Sequence, residues 1–356
     1  MVVMVASSVE TQTYIMNKRV AVVILNWNGK SYLEKFLPSV CASTYPNLEI
    51  VVGDNASTDD SLTFLVANHP RIRIIKLQQN YGFAEGYNRV LQEVMADYFV
   101  LLNSDVSVPS GWIEPMIDFM ETDTNMAIAQ PKILAYHQPT CFEHAGAAGG
   151  YIDWLGYPFC AGRILETLEN DHGQYNQNTT VFWASGAALF IRSTAWEKAG
   201  GFDSDFFAHM EEIDLCWRLK QLGYGIGYCA QSHVFHVGGG TLQKENPFKT
   251  YLNFRNNLMM LQKNLPLFQA IYIIFLRLWL DLLAWMRFIW IGQRKDAWAI
   301  NKAHAHFFRD LKKTATKRKV IQNKTVKGGI YRISIIWTYF VWGKKTFGQL
   351  DARKWR

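Results

Sequence analysis

The stretch Val20-Ala21-Val22-Val23-Ile24-Leu25-Asn26-Trp27-Asn28-Gly29 is an unbroken apolar run, rich in β-branched residues, that stops abruptly in amides and a glycine. Without polar alternation, such a run has the pattern of a strand buried on both faces of a parallel sheet. The same unit repeats outward from it. Ser31 and Glu34 have capping-box spacing ahead of Leu33, Phe36, Leu37 and Val40, which predicts a helix. Leu48–Val52 reads as a second strand ending at Gly53-Asp54, and Ser57 with Asp60 as the cap of a second helix. Ile72–Leu77 reads as a third strand, Phe83–Met95 as a helix and Tyr98–Leu102 as a fourth strand. This alternation predicts an α/β layer with a mostly parallel sheet, in which ligands bind outside the carboxyl ends of the strands.

Those ends are polar in the same way: Asn26-Trp27-Asn28-Gly29, Asp54-Asn55-Ala56-Ser57, Asn80-Tyr81-Gly82 and Asn103-Ser104-Asp105. One such end is an ordinary turn. Four at one edge of a sheet predict a shared crevice. Asp54 there suits a base or ribose, or simply an Asx-turn. Asp105 suits a diphosphate brought in with a divalent cation, Mg²⁺ or Mn²⁺, which prefers oxygen ligands, or is simply a solvated loop carboxylate. Further on, Phe206-Phe207-Ala208-His209-Met210 precedes Glu211, Glu212 and Asp214 at a helix start. The helix dipole alone favours acids there, but apolar neighbours raise a carboxyl pKa toward that of a general base. His233 and His236 lie just before Gly238-Gly239-Gly240, a pattern pointing to a metal or phosphate role. Gly29-Lys30-Ser31 is not a P-loop, because Ile24 occupies the required first glycine, and no G-x-G-x-x-G follows the first strand.

The chain has 356 residues, 49% hydrophobic and 19% charged, which excludes disorder and leaves room for roughly two domains. Five cysteines without a C-x-x-C pair argue against a disulfide scaffold or zinc ribbon and for reduced cytosolic thiols. Residues 1–242 carry a net charge of −11 and residues 243–356 one of +18, so an acidic body joins a basic tail. The first 17 residues read as a flexible leader. In the tail, Leu267–Ile291 is oily but interrupted by Arg277, Asp281 and Arg287, which fall within about 120° of helical arc and leave a broad apolar face. It reads as a helix lying in a membrane interface rather than crossing it. Trp279, Trp285, Trp290, Trp337 and Trp342, with Lys312-Lys313, Lys317-Arg318-Lys319, Lys344-Lys345 and Arg353-Lys354, suit an anionic headgroup zone. No nucleic-acid partner is expected, because the basic residues accompany aliphatic stripes and no RNA or DNA module.

Taken in order, Val-Val-Ile-Leu-Asn-Trp-Asn-Gly, Asp-Asn-Ala-Ser-Thr-Asp, Asn-Tyr-Gly-Phe-Ala-Glu-Gly-Tyr-Asn, Leu-Leu-Asn-Ser-Asp-Val, Phe-Phe-Ala-His-Met-Glu-Glu-Ile-Asp-Leu-Cys-Trp-Arg and His-Val-Gly-Gly-Gly resemble a family 2 glycosyltransferase of the GT-A fold. The likeness is to the rhamnosyltransferase-like branch in particular and covers about residues 19–260. It implies a Rossmann-like mixed sheet flanked by helices in a domain at 18–245; the composition of the tail itself reads as a helical, Trp-rich, basic, membrane-associating region at 246–356. It further implies that Asn26 and Asp54 hold the base and ribose of a nucleotide-diphosphate sugar, with Asn28 and Asn80 nearby. Asp105 would close a D-x-D-like metal motif whose first position here is Asn103, and His236 would be the second metal ligand. Trp183, Ser185 and Gly186 would line the sugar and acceptor pocket. Glu212 stands where the family has the Asp of its Glu-Asp pair, after Glu211, which leaves Glu212 or Asp214 as the base. Arg255-Asn256 resembles a further signature after the core. The implied reaction is inverting, metal-dependent sugar transfer to an acceptor hydroxyl; joined to the membrane reading of the tail, it points to a lipid-linked saccharide in cell-surface polysaccharide synthesis, at the inner face of the cell membrane. The competing readings are a sugar nucleotidyltransferase and a catalytically silent, membrane-bound binding subunit.

Overall fold

The computed structural model describes residues 18–144, 146–238, 246–320, 326 and 328–356. The expected leader at 1–17 and Gly239-Gly240 of the glycine run lie outside the described residues. The apolar run forms β1 (Val20–Asn26), with β2 (Leu48–Asp54), β3 (Arg73–Lys76) and β4 (Tyr98–Leu102) all parallel in the spatial order β3-β2-β1-β4. Helices α1 (Lys30–Cys41), α2 (Ser61–Asn68) and α3 (Gly82–Leu91) connect them. Burial on both sides explains the sequence: Val20 to Val23 are fully inaccessible, split by alternation between two apolar cores.

Beyond β4 the chain adds β5 (Val106–Ser107), α4 (Glu114–Glu121), β6 (Met126–Ala135) and β7 (Gln138–Phe142). It then detours through a small sheet of β8 (Gly150–Asp153), β9 (Pro158–Cys160), β10 (Arg163–Ile164) and β11 (Thr167–Leu168). It returns by β12 (Thr179–Thr180), β13 (Ala188–Arg192), α5 (Ser193–Ala199), α6 (Glu211–Gln221) and β14 (Gly225–His236). The large sheet runs β12-β14-β6-β13-β4-β1-β2-β3 and is mixed, since β13 lies antiparallel between β4 and β6. The closing segment supplies α7 (Pro247–Asn264), α8 (Leu267–Trp290), α9 (Arg294–Arg309), α10 (Leu311–Val320), β15 (Ile330–Tyr331) and α11 (Ile335–Phe340). It is not helical throughout: β15 pairs in parallel with β8, and Tyr331, Phe347 and Trp355 pack on Tyr151 and Phe159 of the small sheet.

Two local expectations are corrected. The Ser31–Glu34 capping box does not form; α1 starts at Lys30 behind Gly29, and the Lys30 amide donates instead to Asp59 Oδ2 at 3.0 Å. Ser57 likewise caps no helix, because its hydroxyl accepts from the Asn28 amide (3.0 Å) and Asn26 Nδ2 (3.1 Å). Both bonds cross between strand-end loops, a reach that no local pattern encodes.

The charges of α8 are the larger correction. Arg277 and Asp281 do not border a wetted face; they point inward with Ala270 and Ile273. Arg277 donates to Asn257 Oδ1 at 2.6 Å and the Leu155 carbonyl at 3.1 Å, its guanidinium 3.5 Å from the Tyr157 ring centre, and Asp281 meets His304 at 3.0 Å. The outward face is therefore almost wholly apolar, from Phe268 (86% exposed) through Phe275, Trp279 and Leu283 to Trp290 (89% exposed), with Arg287 its exposed charge. In length and composition alone this 24-residue helix is sufficient to cross a membrane.

Candidate active site

The strand ends converge as the topology requires. Register pairs Asn26 with Asp54 across β1 and β2, and Asn26 Nδ2 donates to Asp54 Oδ1 at 3.3 Å. Asp54 Oδ2 accepts the Ser57 amide, while the buried Oδ1 of Asn26 has no hydrogen-bond partner among the described residues. An unpaired enclosed acceptor of this kind costs free energy unless a ligand supplies the donor. Asn28 and Asn80 frame this end of the crevice. Asn28 Oδ1 accepts the Thr58 amide at 2.7 Å, and Asn80 Oδ1 accepts Asn55 Nδ2 and the Gly82 amide. Their side chains are engaged in shaping loops.

At the next strand end the Asn103 amide donates to the Ala187 carbonyl, and β5 carries Asp105 against the end of β14. Asp105 Oδ1 lies 3.1 Å from His236 Nε2, with Asn103 Nδ2 3.5 Å from the same nitrogen. The other ring nitrogen, Nδ1, is 3.0 Å from Glu143 Oε2. Burial alone would lower the His236 pKa, but hydrogen bonds to these two carboxylates and their charges overrule it and push it up to about 10. His233, three residues back on the strand, is exposed and takes no part.

Among the described residues no group of three or more His, Cys, Asp or Glu is arranged to hold a metal ion. Asp105 and His236 nonetheless fit a cation that takes its remaining ligands from diphosphate and water, as Mg²⁺ does. Adjacent ligands of an octahedral ion bound at about 2.1 Å are about 3.0 Å apart, and the observed separation is 3.1 Å.

The acids at the start of α6 separate into two kinds. Glu211 and Glu212 each have an enclosed Oε2 without a partner among the described residues, as does His209 Nε2. Desolvation raises the Glu212 carboxyl to about 7, and desolvation plus the neighbouring Glu212 charge holds Glu211 well above its usual range. Burial lowers His209 to about 4, so it is neutral. Asp214 is different: Arg218 Nε, Lys263 Nζ and Asn264 Nδ2 each donate to it at 2.8 Å, and it lies low despite complete burial. A carboxylate saturated in this way is structural. Of the two candidate bases, Glu212 is the one that keeps an oxygen without a partner among the described residues, with Glu211 beside it.

The pocket-lining expectation is also corrected. Trp183 is a core residue, its ring against Gly150 and its Nε1 donating to the Tyr151 carbonyl at 2.9 Å. Ser185 is buried, taking the Ala187 amide on its hydroxyl and giving its own amide to Gln130. Gly186 alone stays partly accessible, facing Phe83. Phe83 in turn ties the Glu211–Glu212 end to the strand ends: its amide donates to the Phe207 carbonyl at 2.7 Å. Beside it Gly82, at φ +77°, leaves room for the Phe207 ring, which an added Cβ would meet at 2.5 Å.

Residues 21–175 match the sequence profile of glycosyl transferase family 2. The chain carries a family 2 glycosyltransferase domain. Its relatives place this glycosyltransferase beside the rhamnosyltransferases. The N-acetylglucosaminyl-diphospho-decaprenol L-rhamnosyltransferase of Mycobacterium tuberculosis (strain ATCC 25618 / H37Rv) is 26% identical over 235 residues, 60% of this chain and 75% of the relative. Rhamnosyltransferase WbbL of Escherichia coli (strain K12) is 23% identical over 224 residues, 61% of this chain and 83% of the relative. The fold is GT-A. The mannosyltransferase PcManGT from Pyrobaculum calidifontis, solved with GDP-Man and Mn²⁺, superposes with a TM-score of 0.51 at 14% identity, over 85% of this chain and 84% of that one. GalNAc-T7, solved with UDP, GalNAc and Mn²⁺, superposes with a TM-score of 0.55 at 16% identity, over 69% and 48%.

Two features of the candidate site are not legible in the sequence. Glu143 sits alone after β7, outside every motif, and only its place before His144-Ala145-Gly146 hints at a turn. The left-handed backbone of Phe207, His209 and Met210 has no glycine to announce it.

Proposed function

We propose that this protein is an inverting glycosyltransferase that moves a sugar, of the deoxyhexose class its relatives' names support, from a nucleotide diphosphate to an acceptor hydroxyl. The observation that carries this reading is the pair of opposed chemistries at one end of the sheet. A histidine–carboxylate edge fits a cation-bound diphosphate, and a desolvated carboxylate with one oxygen left without a partner among the described residues, its pKa raised to about 7, fits a base.

Asn26 and Asp54 hold the nucleoside, and Asn103 helps to hold the phosphate end. Asp105 and His236 would hold Mg²⁺ or Mn²⁺, which supplies charge neutralisation to the departing diphosphate. Glu212 takes the proton of the acceptor hydroxyl as its oxygen bonds to the anomeric carbon. The bond from that carbon to the diphosphate oxygen breaks on the opposite face, so configuration inverts in one displacement. The neutral partner of the Glu211–Glu212 pair avoids placing two charges side by side.

The acceptor side supports a lipid-linked saccharide at the inner face of the cell membrane. The apolar outer face of α8 continues into exposed Trp298 and Phe308 on α9, and Arg294, Lys295 and Lys302 are exposed close by. With its inward stripe bound to the protein, α8 suits lying in the headgroup region against anionic lipid.

The test is nucleoside diphosphate release from UDP-, dTDP- and GDP-sugars with and without Mn²⁺, with the anomeric configuration of the product read by NMR. Release that disappears in Glu212→Gln and Asp105→Ala, with an inverted product, supports the reading. A retained configuration removes the mechanism. No turnover with any donor, despite nucleotide binding, favours a silent binding subunit.

A further inference from the structure

The turn that presents Glu211 and Glu212 has an uncommon backbone. Phe207, His209 and Met210 have φ values of 64°, 68° and 74°, a region that bulky side chains avoid. No glycine lies between residues 202 and 222 to relieve it. The holding contacts come from α7. Asn256 is fully buried, and its Nδ2 donates to the carbonyls of Phe206 (2.9 Å), Ala208 (2.9 Å) and His209 (2.7 Å). Arg255 donates from one nitrogen to the carbonyls of Asp205 (2.8 Å) and Phe206 (3.1 Å), and from Nε to Asn256 Oδ1 (2.8 Å). The remaining carbonyl of the turn, that of Phe207, is taken by the Phe83 and Ala84 amides at the start of α3. Every carbonyl from 205 to 209 is thus collected by a donor from outside the turn. Tyr251, itself bonded to His306, steadies Arg255 from behind at 2.9 Å.

We infer that Arg255 and Asn256 are positioning residues for the transfer reaction: by gathering these carbonyls they keep the turn left-handed and so fix where the Glu212 carboxylate meets the acceptor hydroxyl. The inference rests on Glu212 being the base. Neither residue touches reacting atoms. A planar amide shared among the carbonyls of Phe206, Ala208 and His209 fixes their mutual orientation as a freely rotating hydroxyl cannot, and one nitrogen of the rigid guanidinium, itself oriented by Asn256 and Tyr251, ties the Asp205 carbonyl to that of Phe206. Released from the clamp, the turn keeps the bonds to the Phe207 carbonyl and its own Ala208-to-Phe206 bond but loses the donor that holds the Ala208 and His209 carbonyls next to Glu211, and the carboxylate moves out of its enclosure.

The experiment compares Asn256→Ser with Asn257→Ser in the full chain. Asn257 is the adjacent buried amide, donating to the Gly156 carbonyl and accepting from Arg277, both outside the turn. Measured are kcat, KM for donor, the pH dependence of kcat, nucleoside diphosphate affinity by calorimetry, and Tm. Asn256→Ser is expected to lower kcat by about 10- to 100-fold with donor affinity within about threefold, and to move the acidic limb of the kcat profile to lower pH as Glu212 gains solvent. The titratable and charged groups around Glu212 are Glu211 beside it, Asp214 one turn on, neutral His209 with Lys249 behind it, and the thiols of Cys160 and Cys216, which burial keeps protonated. Asn257→Ser is expected to lower Tm with the limb unmoved. Arg255→Lys, which keeps charge but not the fork, is the second variant should Asn256→Ser fail to fold, and is expected to shift the limb the same way. Unchanged kcat and limb in Asn256→Ser and Arg255→Lys overturn the inference, as do losses in Asn256→Ser and Asn257→Ser that track Tm alone. Full activity in Glu212→Gln would instead overturn the assignment of the base.

Discussion

Glu143 Oε2 lies 3.0 Å from Nδ1 of His236, on the side of the ring opposite Asp105, which faces Nε2. A carboxylate on Nδ1 keeps a hydrogen there, so Nε2, whose own hydrogen faces Asp105, is the nitrogen that would give up its proton to a cation, the arrangement by which outer carboxylates orient metal-binding histidines. Glu143→Ala is therefore expected to weaken Mn²⁺ binding by roughly 10- to 100-fold, measured by titration calorimetry with nucleoside diphosphate present, while the fold is retained by circular dichroism. Equal Mn²⁺ affinity in the variant would leave Glu143 a packing residue.

Glu212→Gln is expected to separate function from stability. Loss of the base lowers kcat by roughly 10² to 10⁴, with donor affinity preserved. A raised carboxyl pKa favours folding below the unfolded value near 4.5, and that contribution disappears as pH rises through the folded value of about 7. The wild-type protein thus carries a strained charge at pH 8 that the glutamine lacks. The variant is expected to be more stable at pH 8 by up to about 3 kcal/mol and at pH 5 by less than about 1 kcal/mol, measured by urea unfolding at both. An equal difference at the two pH values would show that Glu212 is not desolvated.

Much of this architecture is legible in the chain itself, because one cause acts over short range. A strand covered on both faces must be apolar throughout, so Val20–Leu25 and Tyr98–Leu102 are visible, and the polar residues at their ends mark the crevice. The motifs also bring Asp105, His236 and Glu212 to notice. What the residues alone do not show are contacts closed by tertiary folding. Asp59 caps a helix 29 residues upstream, Glu143 reaches His236 across 93 residues, and Asn256 reaches the Phe206 carbonyl across 50. Asp214 and Trp183 illustrate the opposite failure. Each lies within a motif and suits a site by type, yet Lys263 with Asn264 saturates one, and Gly150 with Tyr151 encloses the other.

Asp214 gives the third expectation. It joins α6 to α7 through Lys263 and Asn264, and Lys263 continues to Asp203, which also pairs with Lys317 of α10. Removing one member of a buried, paired set leaves its partners charged and dry. Asp214→Ala is expected to cost about 3–5 kcal/mol of stability in urea unfolding, with kcat per folded molecule close to wild type at low temperature. Selective loss of kcat with unchanged stability would return Asp214 to the reaction. The ion pairs hold both carboxyls of Asp203 and Asp214 low against the pull of burial, so their contribution is present above the ordinary carboxyl range and is lost as pH falls below it.

The outer face of α8 gives the fourth. Trp279 and Leu283 are more than half exposed there, four residues apart on one side of the helix, while Arg277 on the other side is buried by Asn257 and Tyr157. Burying a large apolar side chain contributes about 1.5–3 kcal/mol, and these two begin from partial burial, so together they account for about 3 kcal/mol of lipid binding, or about a hundredfold in affinity. Trp279→Glu with Leu283→Glu is therefore expected to abolish co-sedimentation with anionic phosphatidylglycerol vesicles and to leave Tm within a few degrees, since neither side chain supports the core. Arg277→Ala is expected to do the reverse, lowering Tm with vesicle binding retained at low temperature. A wild-type protein that stays in the supernatant at low salt would mean that this face is covered by something other than lipid, because so much exposed tryptophan and phenylalanine is not stable against water by itself.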